Sequence, residues 1–321
     1  MRDNPAPMGI SHYIKEIGRG ARGAKPLARE QAADLFGQVL DGSITDLEMG
    51  AFCLAMRIKG ETPEEMAGFL DATHARLARF PATERPLVVL PSYNGARRLP
   101  VLTPLLALLL AREGLPVLVH GAATESTRVL SSGVLAALDI APLTALRPIG
   151  AGQVVFAPTE LLSPGLKRLL DVRRVVGLRN PGHSVVKLMQ PGAGDCVVVG
   201  SYTHPEYAQS MAATFELTGM TALLSRGLEG ESAADPRRTA QVDGFVRGQR
   251  IALQARQPGT ESEVPGLPEE IDIETTAAYT RRVLAGEAPL PEAIAQQVAQ
   301  IVQLANLTQR TPTASTTETH P

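Results

Sequence analysis

The chain has 321 residues, 44% of them apolar and 4% aromatic, with no tryptophan and a formal charge of −2. That is enough for one large domain or two ordinary ones with a largely aliphatic core, and it argues against a uniformly basic nucleic-acid binder without excluding a local basic patch. Two cysteines, Cys53 and Cys196, are too few for a disulfide framework or a cysteine zinc site, and the six histidines show no metal spacing. Residues 1–30 lack a continuous apolar core, and the longest apolar tract, Leu99–Ala111, is about half a membrane span and contains Pro104. The chain is therefore expected to be soluble and cytoplasmic, without contact to a membrane.

Ile10, Tyr13, Ile14 and Ile17 fall on one face of a short helix. The loop Gly18–Lys25 that follows suits either a phosphate grip or a flexible basic connector. Ala28–Leu40 reads as a second helix. Thr45 with Glu48, and Thr62-Pro63 with Glu65, are capping boxes that start two more. The third helix is expected to bury Leu47, Ala51, Leu54, Ala55 and Ile58. Residues 8–84 thus form a helical domain, and 86–307 an α/β domain.

Leu87–Leu90 reads as a buried strand ending at Pro91, Val101–Arg112 as a helix, Pro116–His120 as a strand and Thr127–Leu138 as a helix. Strand, crossover helix and strand make a parallel βαβ unit, whose ligands sit beyond the carboxyl ends of the strands. Those ends carry Ser92–Arg98 and Gly121–Arg128. Thr124, Ser126, Thr127, Ser131 and Ser132 either donate to a phosphate at a helix start near 127 or simply cap it. Further on come a strand at Gly152–Ala157, a helix at Leu161–Leu170, a strand at Asp195–Gly200, a helix at Pro205–Leu217 and a strand at Thr221–Ser225. Pro236–Ala255 shows β-like alternation, 257–272 is an acidic loop, and Glu274–Leu284 and Pro291–Leu307 are closing helices. Residues 308–321 are threonine-rich and expected to be disordered.

A resemblance covers nearly the whole chain. The capped helical opening DGSITDLEMGAFCLAMRIKGETPEEMAGF, the HG and SSG tracts of His120–Leu138, SYTHPEYAQSMA at 201–212 and SRGLEGE at 225–231 resemble the anthranilate phosphoribosyltransferase family. It implies an N-terminal helical domain plus a larger α/β domain with a mainly parallel sheet, of nucleoside phosphorylase or phosphoribosyltransferase type. It also implies a homodimer, with part of 160–192 packing back on the helical domain. The implied reaction is transfer of phosphoribose from phosphoribosyl diphosphate to an aromatic amine.

The motifs depart from that pattern. The family's GTGGD loop is replaced by Pro91-Ser92-Tyr93-Asn94-Gly95-Ala96-Arg97-Arg98, and its KHGNR by Val119-His120-Gly121-Ala122-Ala123. Only Glu229 and Glu231 remain near its acidic Mg²⁺ pair, so no cofactor is expected, with Mg²⁺ needed only if transfer persists. These departures, with GLRNPGHSVVKLMQP at 177–191, resemble a YbiB-type branch. It implies DNA and RNA binding with little sequence preference and an eroded diphosphate site.

The expected phosphate or ligand pocket comprises Ser92, Tyr93, Asn94, Gly95, Arg97, His120, Gly121, Thr127, Ser131, Arg179, Asn180, His183 and Lys187. Arg179, His183 and Lys187 share one face if their tract is helical. No catalytic residue is assigned, and His120 is expected to shape its loop. Nucleic-acid contacts are expected at Lys167, Arg168, Arg173, Arg174 and Lys187, and at Arg237, Arg238, Arg247 and Arg250. The alternative is a phosphoribosyltransferase with an unknown aromatic acceptor.

Overall fold

The structure is a computed structural model that describes residues 9–20, 22–123 and 127–310. Four helices come first: α1 (Ser11–Ile17), α2 (Arg29–Asp41), α3 (Asp46–Lys59) and α4 (Pro63–His74). Both capping boxes form. Thr45 accepts from the Glu48 N–H and Thr62 from the Glu65 N–H, while each glutamate reaches back to its cap. Phe36, Phe52 and Phe69 pack together at the centre, with the rings of Phe36 and Phe69 stacked at 4.6 Å. The inward face of α3 is not the expected one. Phe52, Cys53 and Met56 are buried, whereas Leu47 (83%), Leu54 (48%) and Ile58 (56%) are exposed. The aromatic Phe52 sets the rotation of this helix, because burying its ring outweighs burying the smaller aliphatics.

Residues from 87 onward build a seven-stranded sheet: β1 (Leu87–Ser92), β2 (Val117–Gly121), β3 (Val154–Pro158), β4 (Cys196–Tyr202), β5 (Ala222–Arg226), β6 (Val242–Val246) and β7 (Gln249–Gln254). Its order is β3-β2-β1-β4-β5-β6-β7, parallel through β5 and antiparallel beyond. The central strands are apolar without alternation, as burial on both faces demands. β1 does not stop at Pro91 but runs on beside β2 to Ser92. Its pairing with β4 ends at Val89, so on that side proline's missing N–H breaks no ladder. β6 and β7 are joined by the two residues Arg247 (φ 48°) and Gly248 (φ 80°), the positive-φ turn that suits a tight hairpin.

The connecting helices are α5 (Thr103–Arg112), α6 (Ser131–Ala137), α7 (Thr159–Leu162), α8 (Pro164–Val176), α9 (Gly182–Val185), α10 (Pro205–Thr218), α11 (Ile273–Ala285) and α12 (Glu292–Arg310). Two helix expectations are corrected here. α6 begins at Ser131, not Thr127, because Ala96 and Val129 exchange backbone hydrogen bonds and hold 127–130 out of the helix. The helix expected across 161–170 is two helices. Ser163 caps α8 through the Leu166 N–H, with Pro164 at its first position. α12 carries on through Arg310, with Thr308 buried and bonded to the Leu304 carbonyl. The expected tail at 311–321, and Thr124 and Ser126, lie outside the described residues. Among the described residues no helix is long and apolar enough to cross a membrane.

α8 packs against α2. A Cβ on Gly165 would overlap the Leu40 carbonyl, and Arg168 donates to that same oxygen at 2.8 Å. The Ala78 N–H donates to the Leu162 carbonyl at 2.9 Å, and the Gln190 N–H to His74 Nε2 at 2.9 Å.

Candidate functional site: a loop closed on its own carboxylates

The strand order reverses between β1 and β4, where the following connections leave in opposite directions and open a crevice. Residues 93–98 follow β1, residues 122–123 and 127–130 come after β2, and a 3₁₀ turn, Leu228–Gly230, follows β5. They meet closely. A Cβ on Gly121 would overlap the Ser92 carbonyl, and one on Gly95 (φ 66°) would lie 2.8 Å from the Val129 carbonyl.

Glu231 stands at the centre and is buried. Its Oε1 accepts from the Asn94 N–H at 2.7 Å and the Gly95 N–H at 2.9 Å. Its Oε2 accepts from the hydroxyls of Ser92, Thr103 (3.2 Å) and Ser131 (3.5 Å). Glu229 does the same one step outward. It takes the Arg97 N–H at 3.1 Å and the Arg98 N–H at 2.6 Å, with Arg128 at 3.7 Å. The backbone N–H donors of Asn94, Gly95, Arg97 and Arg98 therefore all end on carboxylates of the same chain, while that of Ala96 bonds to Val129. Successive N–H groups converging in a loop are an anion-binding geometry.

This donor set does not suit Mg²⁺. The carboxylate oxygens of Glu229 and Glu231 already face hydrogens, whereas a divalent ion needs oxygen lone pairs directed at it. Among the described residues no cluster of three or more His, Cys, Asp or Glu could hold a metal.

The other expected pocket residues divide into two groups. Tyr93 is turned inward, its hydroxyl 2.8 Å from His120 Nδ1 and 2.9 Å from the Thr159 hydroxyl. Burial pushes the Tyr93 phenol up and His120 down to about 3, so both stay neutral and shape the loop from below. Thr127 is exposed and away from these contacts. The side chains of Arg97 and Arg98 are exposed at the loop's tip.

The remaining residues line a cavity of about 450 Å³ between the helical unit and the α/β unit. Arg179, Asn180, His183 and Lys187 face it from one side, Met56, Arg57 and Glu61 from another, and Tyr202, His204 and Tyr207 from a third. Arg179, His183 and Lys187 share this space although their tract is not one helix. It is a turn, the four-residue α9 and another turn. Asn180 holds the turn by bonding the Leu169 carbonyl and the Gly182 N–H. Arg179 donates to Asn94 Oδ1 at 3.1 Å and Lys187 to the Gly230 carbonyl at 3.1 Å, which joins cavity to loop. Desolvation lowers Lys187 to about 8, and desolvation first, then Arg179, lowers His183 to about 4.

The residues expected on nucleic acid do not form one surface: Arg168 bonds the Leu40 carbonyl between α2 and α8, Lys187 is half-buried at the cavity, and the others fall into two places. Arg174 donates to the Ala123 carbonyl of the loop after β2 and lies 3.4 Å from Asp171, which also pairs with Lys167. Arg173 is on the same last turn of α8. Arg237, Arg238, Arg247 and Arg250 lie on or next to the β6–β7 hairpin, toward the opposite edge of the sheet from β2. They pair with Asp235 (2.9 Å for both Arg237 and Arg238), Asp195 (3.6 Å) and Asp243 (2.9 Å). Thr103, Ser201, Arg57 and the two cavity tyrosines were not foreseen, whereas Arg128 ends the second of the two loops expected at the strand ends. Thr103 was findable as a polar residue shortly after the first loop, at the start of the helix that follows.

The layout is that of a phosphoribosyltransferase: a helical bundle, a mainly parallel sheet, and a crevice between them. Residues 11–76 match the glycosyl transferase family helical bundle domain. The fold matches anthranilate phosphoribosyltransferase from Thermus thermophilus, with a TM-score of 0.69 and 24% identity over 94% of this chain and 90% of that one. The Saccharomyces cerevisiae enzyme solved with PRPP and Mg gives 0.65 and 12% over the same shares. At these identities the likeness is one of fold. In sequence, the anthranilate phosphoribosyltransferase of Aeromonas salmonicida is 27% identical over 92% of this chain and 89% of that protein. The uncharacterized protein YbiB of Escherichia coli (strain K12) is 40% identical over 91% of this chain and 93% of that protein. This chain belongs to the YbiB family.

Proposed function

We propose that the protein is a cytoplasmic homodimer that binds nucleic acid, DNA or RNA, through the phosphodiester backbone and with little sequence preference. The observation that carries this reading is the contrast within one loop. The backbone donors of residues 94, 95, 97 and 98 are consumed by Glu229 and Glu231, while the Arg97 and Arg98 side chains point to solvent. Arg128, Arg174 and Arg179 come from neighbouring elements to the same strand ends. Such a rim can meet a run of phosphates, but the closed loop cannot clamp a diphosphate. Phosphoryl leaving groups need preorganised positive charge and free donors, and here the donors are taken.

Fluorescence anisotropy with labelled random single- and double-stranded oligonucleotides across a salt series tests the reading. Binding indifferent to sequence, with a log–log salt slope of about −0.9 per phosphate contact on duplex, is expected. No binding at low salt would sink it. The cavity of about 450 Å³ between the two units favours a second reading, phosphoribosyl transfer to an aromatic acceptor. Consumption of phosphoribosyl diphosphate with Mg²⁺ and any aromatic amine would establish it.

A further inference from the structure

We propose that Glu231 is a built-in anion occupying an otherwise intact oxyanion site, and that the donors around it accept a free small oxyanion once that side chain is removed. The inference does not rest on nucleic-acid binding.

Four donors converge closely on one carboxylate, two consecutive backbone N–H groups from Asn94 and Gly95 and the hydroxyls of Ser92 and Thr103, with the Ser131 hydroxyl 2.7 Å from that of Ser92 and 3.5 Å from the carboxylate. They come from the end of β1, the loop after it, and the first residues of α5 and α6. Ser92, Asn94, Thr103 and Ser131 are all buried, so water does not easily replace the acceptor. No other acidic side chain bonds to this donor set among the described residues. The carboxylate also arrives from a different strand end, carried in by the turn after β5, two strands from β1 in the same sheet. Gly230 (φ 83°) lets that turn close, with Asn94 Nδ2 where a Cβ would stand and Asn94 donating to the Glu229 carbonyl at 3.0 Å. Ser201 and Lys187 hold the Gly230 carbonyl at 3.0 and 3.1 Å. The donor loop is also held without Glu231, through the bonds of Asn94, Arg97 and Arg98 to Glu229 and of Arg179 to Asn94. Deleting the side chain leaves the donor set in place around a space about the size of a carboxylate. A buried N–H or O–H left without an acceptor is costly, and that cost is what a free anion would relieve.

The class of ligand follows from the donors. They are neutral and arranged around two oxygens, which suits formate or acetate, and inorganic phosphate if the space is larger. Halide has the charge but not the two-oxygen shape. In the wild-type protein the tethered carboxylate is present at high effective concentration and keeps such anions out.

The experiment is thermal unfolding of the full chain and its Glu231→Ala variant in formate, in inorganic phosphate and in chloride at matched ionic strength. The variant is expected to melt well below wild type and to recover about 5 °C in saturating formate or phosphate, but not in chloride. Wild type should not respond to formate or phosphate beyond chloride. Glu231→Gln, whose amide adds a donor where donors already converge, should be destabilised and not rescued. A Glu231→Ala variant indifferent to both oxyanions, or a wild type that gains as much as the variant, would overturn the proposal. If Glu231→Ala does not fold, refolding from urea gives the same answer. Recovery only with the oxyanion supports the built-in anion, and no recovery with either rejects it.

Discussion

The Asn94 N–H donates to Glu231 Oε1 at 2.7 Å across a separation of 137 residues. That bond joins the loop after β1 to the turn after β5, and the turn depends on one residue. Gly230 has φ 83°, and a Cβ there would overlap Asn94 Nδ2. Gly230→Ala is expected to lower stability by about 2 kcal/mol or more, from backbone strain and displacement of the Asn94 amide. Urea unfolding measures it. A change below about 0.5 kcal/mol would mean that the turn is not under this constraint.

Glu65 is fully buried and accepts from the N–H groups of Leu27 and Thr62, each at 2.9 Å, and from Lys59 Nζ at 2.5 Å. Removing one partner strands the other charge, so Glu65→Ala should cost about 3–5 kcal/mol. Replacing both charges, as Lys59→Met with Glu65→Leu, should cost less than either single change. A double-mutant cycle with no coupling would contradict the burial of this pair.

Acid should weaken the join between the helical and α/β units. Desolvation, then Arg79, depresses His74 to about 4, and its Nε2 accepts the Gln190 N–H. A histidine depressed in the fold binds fewer protons than when unfolded. Its contribution is therefore complete above about pH 6.5 and is lost as pH falls from there toward about 4. The loss is at most about 1.4 kcal/mol per pH unit for each such histidine. His120 and His183 add in the same direction. Melting temperatures at about pH 7 and about pH 5 should differ, and less so for His74→Gln, whose carbonyl accepts without titrating.

Leu47, Leu54 and Ile58 make an exposed apolar face on α3. If the protein pairs through it, Leu54→Asp with Ile58→Asp should halve the mass seen by light scattering and leave the circular dichroism spectrum unchanged. A variant that stays the same mass moves the interface elsewhere.

The two groups of arginines should behave differently on nucleic acid. Arg97→Glu with Arg98→Glu is expected to weaken binding and reduce the duplex salt slope by about 0.9 for each phosphate no longer neutralised. Arg237→Glu with Arg250→Glu breaks pairs with Asp235 and Asp243, so stability should fall while the slope holds. The opposite pattern in anisotropy would place the binding surface on the hairpin.

The helices and strands were legible wherever a local signal was strong: the two threonine caps, the aliphatic central strands, and the glycine ends. The layer arrangement was legible through the resemblance. What escaped was set by distant partners. The rotation of α3 follows Phe52 against Phe36 and Phe69, and the start of α6 follows the Ala96–Val129 pairing. The role of Glu231 was the furthest from view. Its donors lie 100 to 139 residues before it, and nothing near Ser225–Glu231 announces that the side chain will turn toward them. The missing glycines of the first loop were visible, but not the anion that makes good the loss.

The contact of Gly165 with the Leu40 carbonyl, sealed by Arg168, has a mechanical meaning. With the His74–Gln190 and Ala78–Leu162 bonds it fastens α2 and the end of α4 to α8 and its flanks. The two units meet again beside the cavity that Arg57, Glu61 and Tyr207 line, where α4 packs against α9 and α10. A cavity lined from both units takes its width from the seams beside it, so Gly165 sets the spacing of Arg57 and Tyr207 without lining the cavity itself.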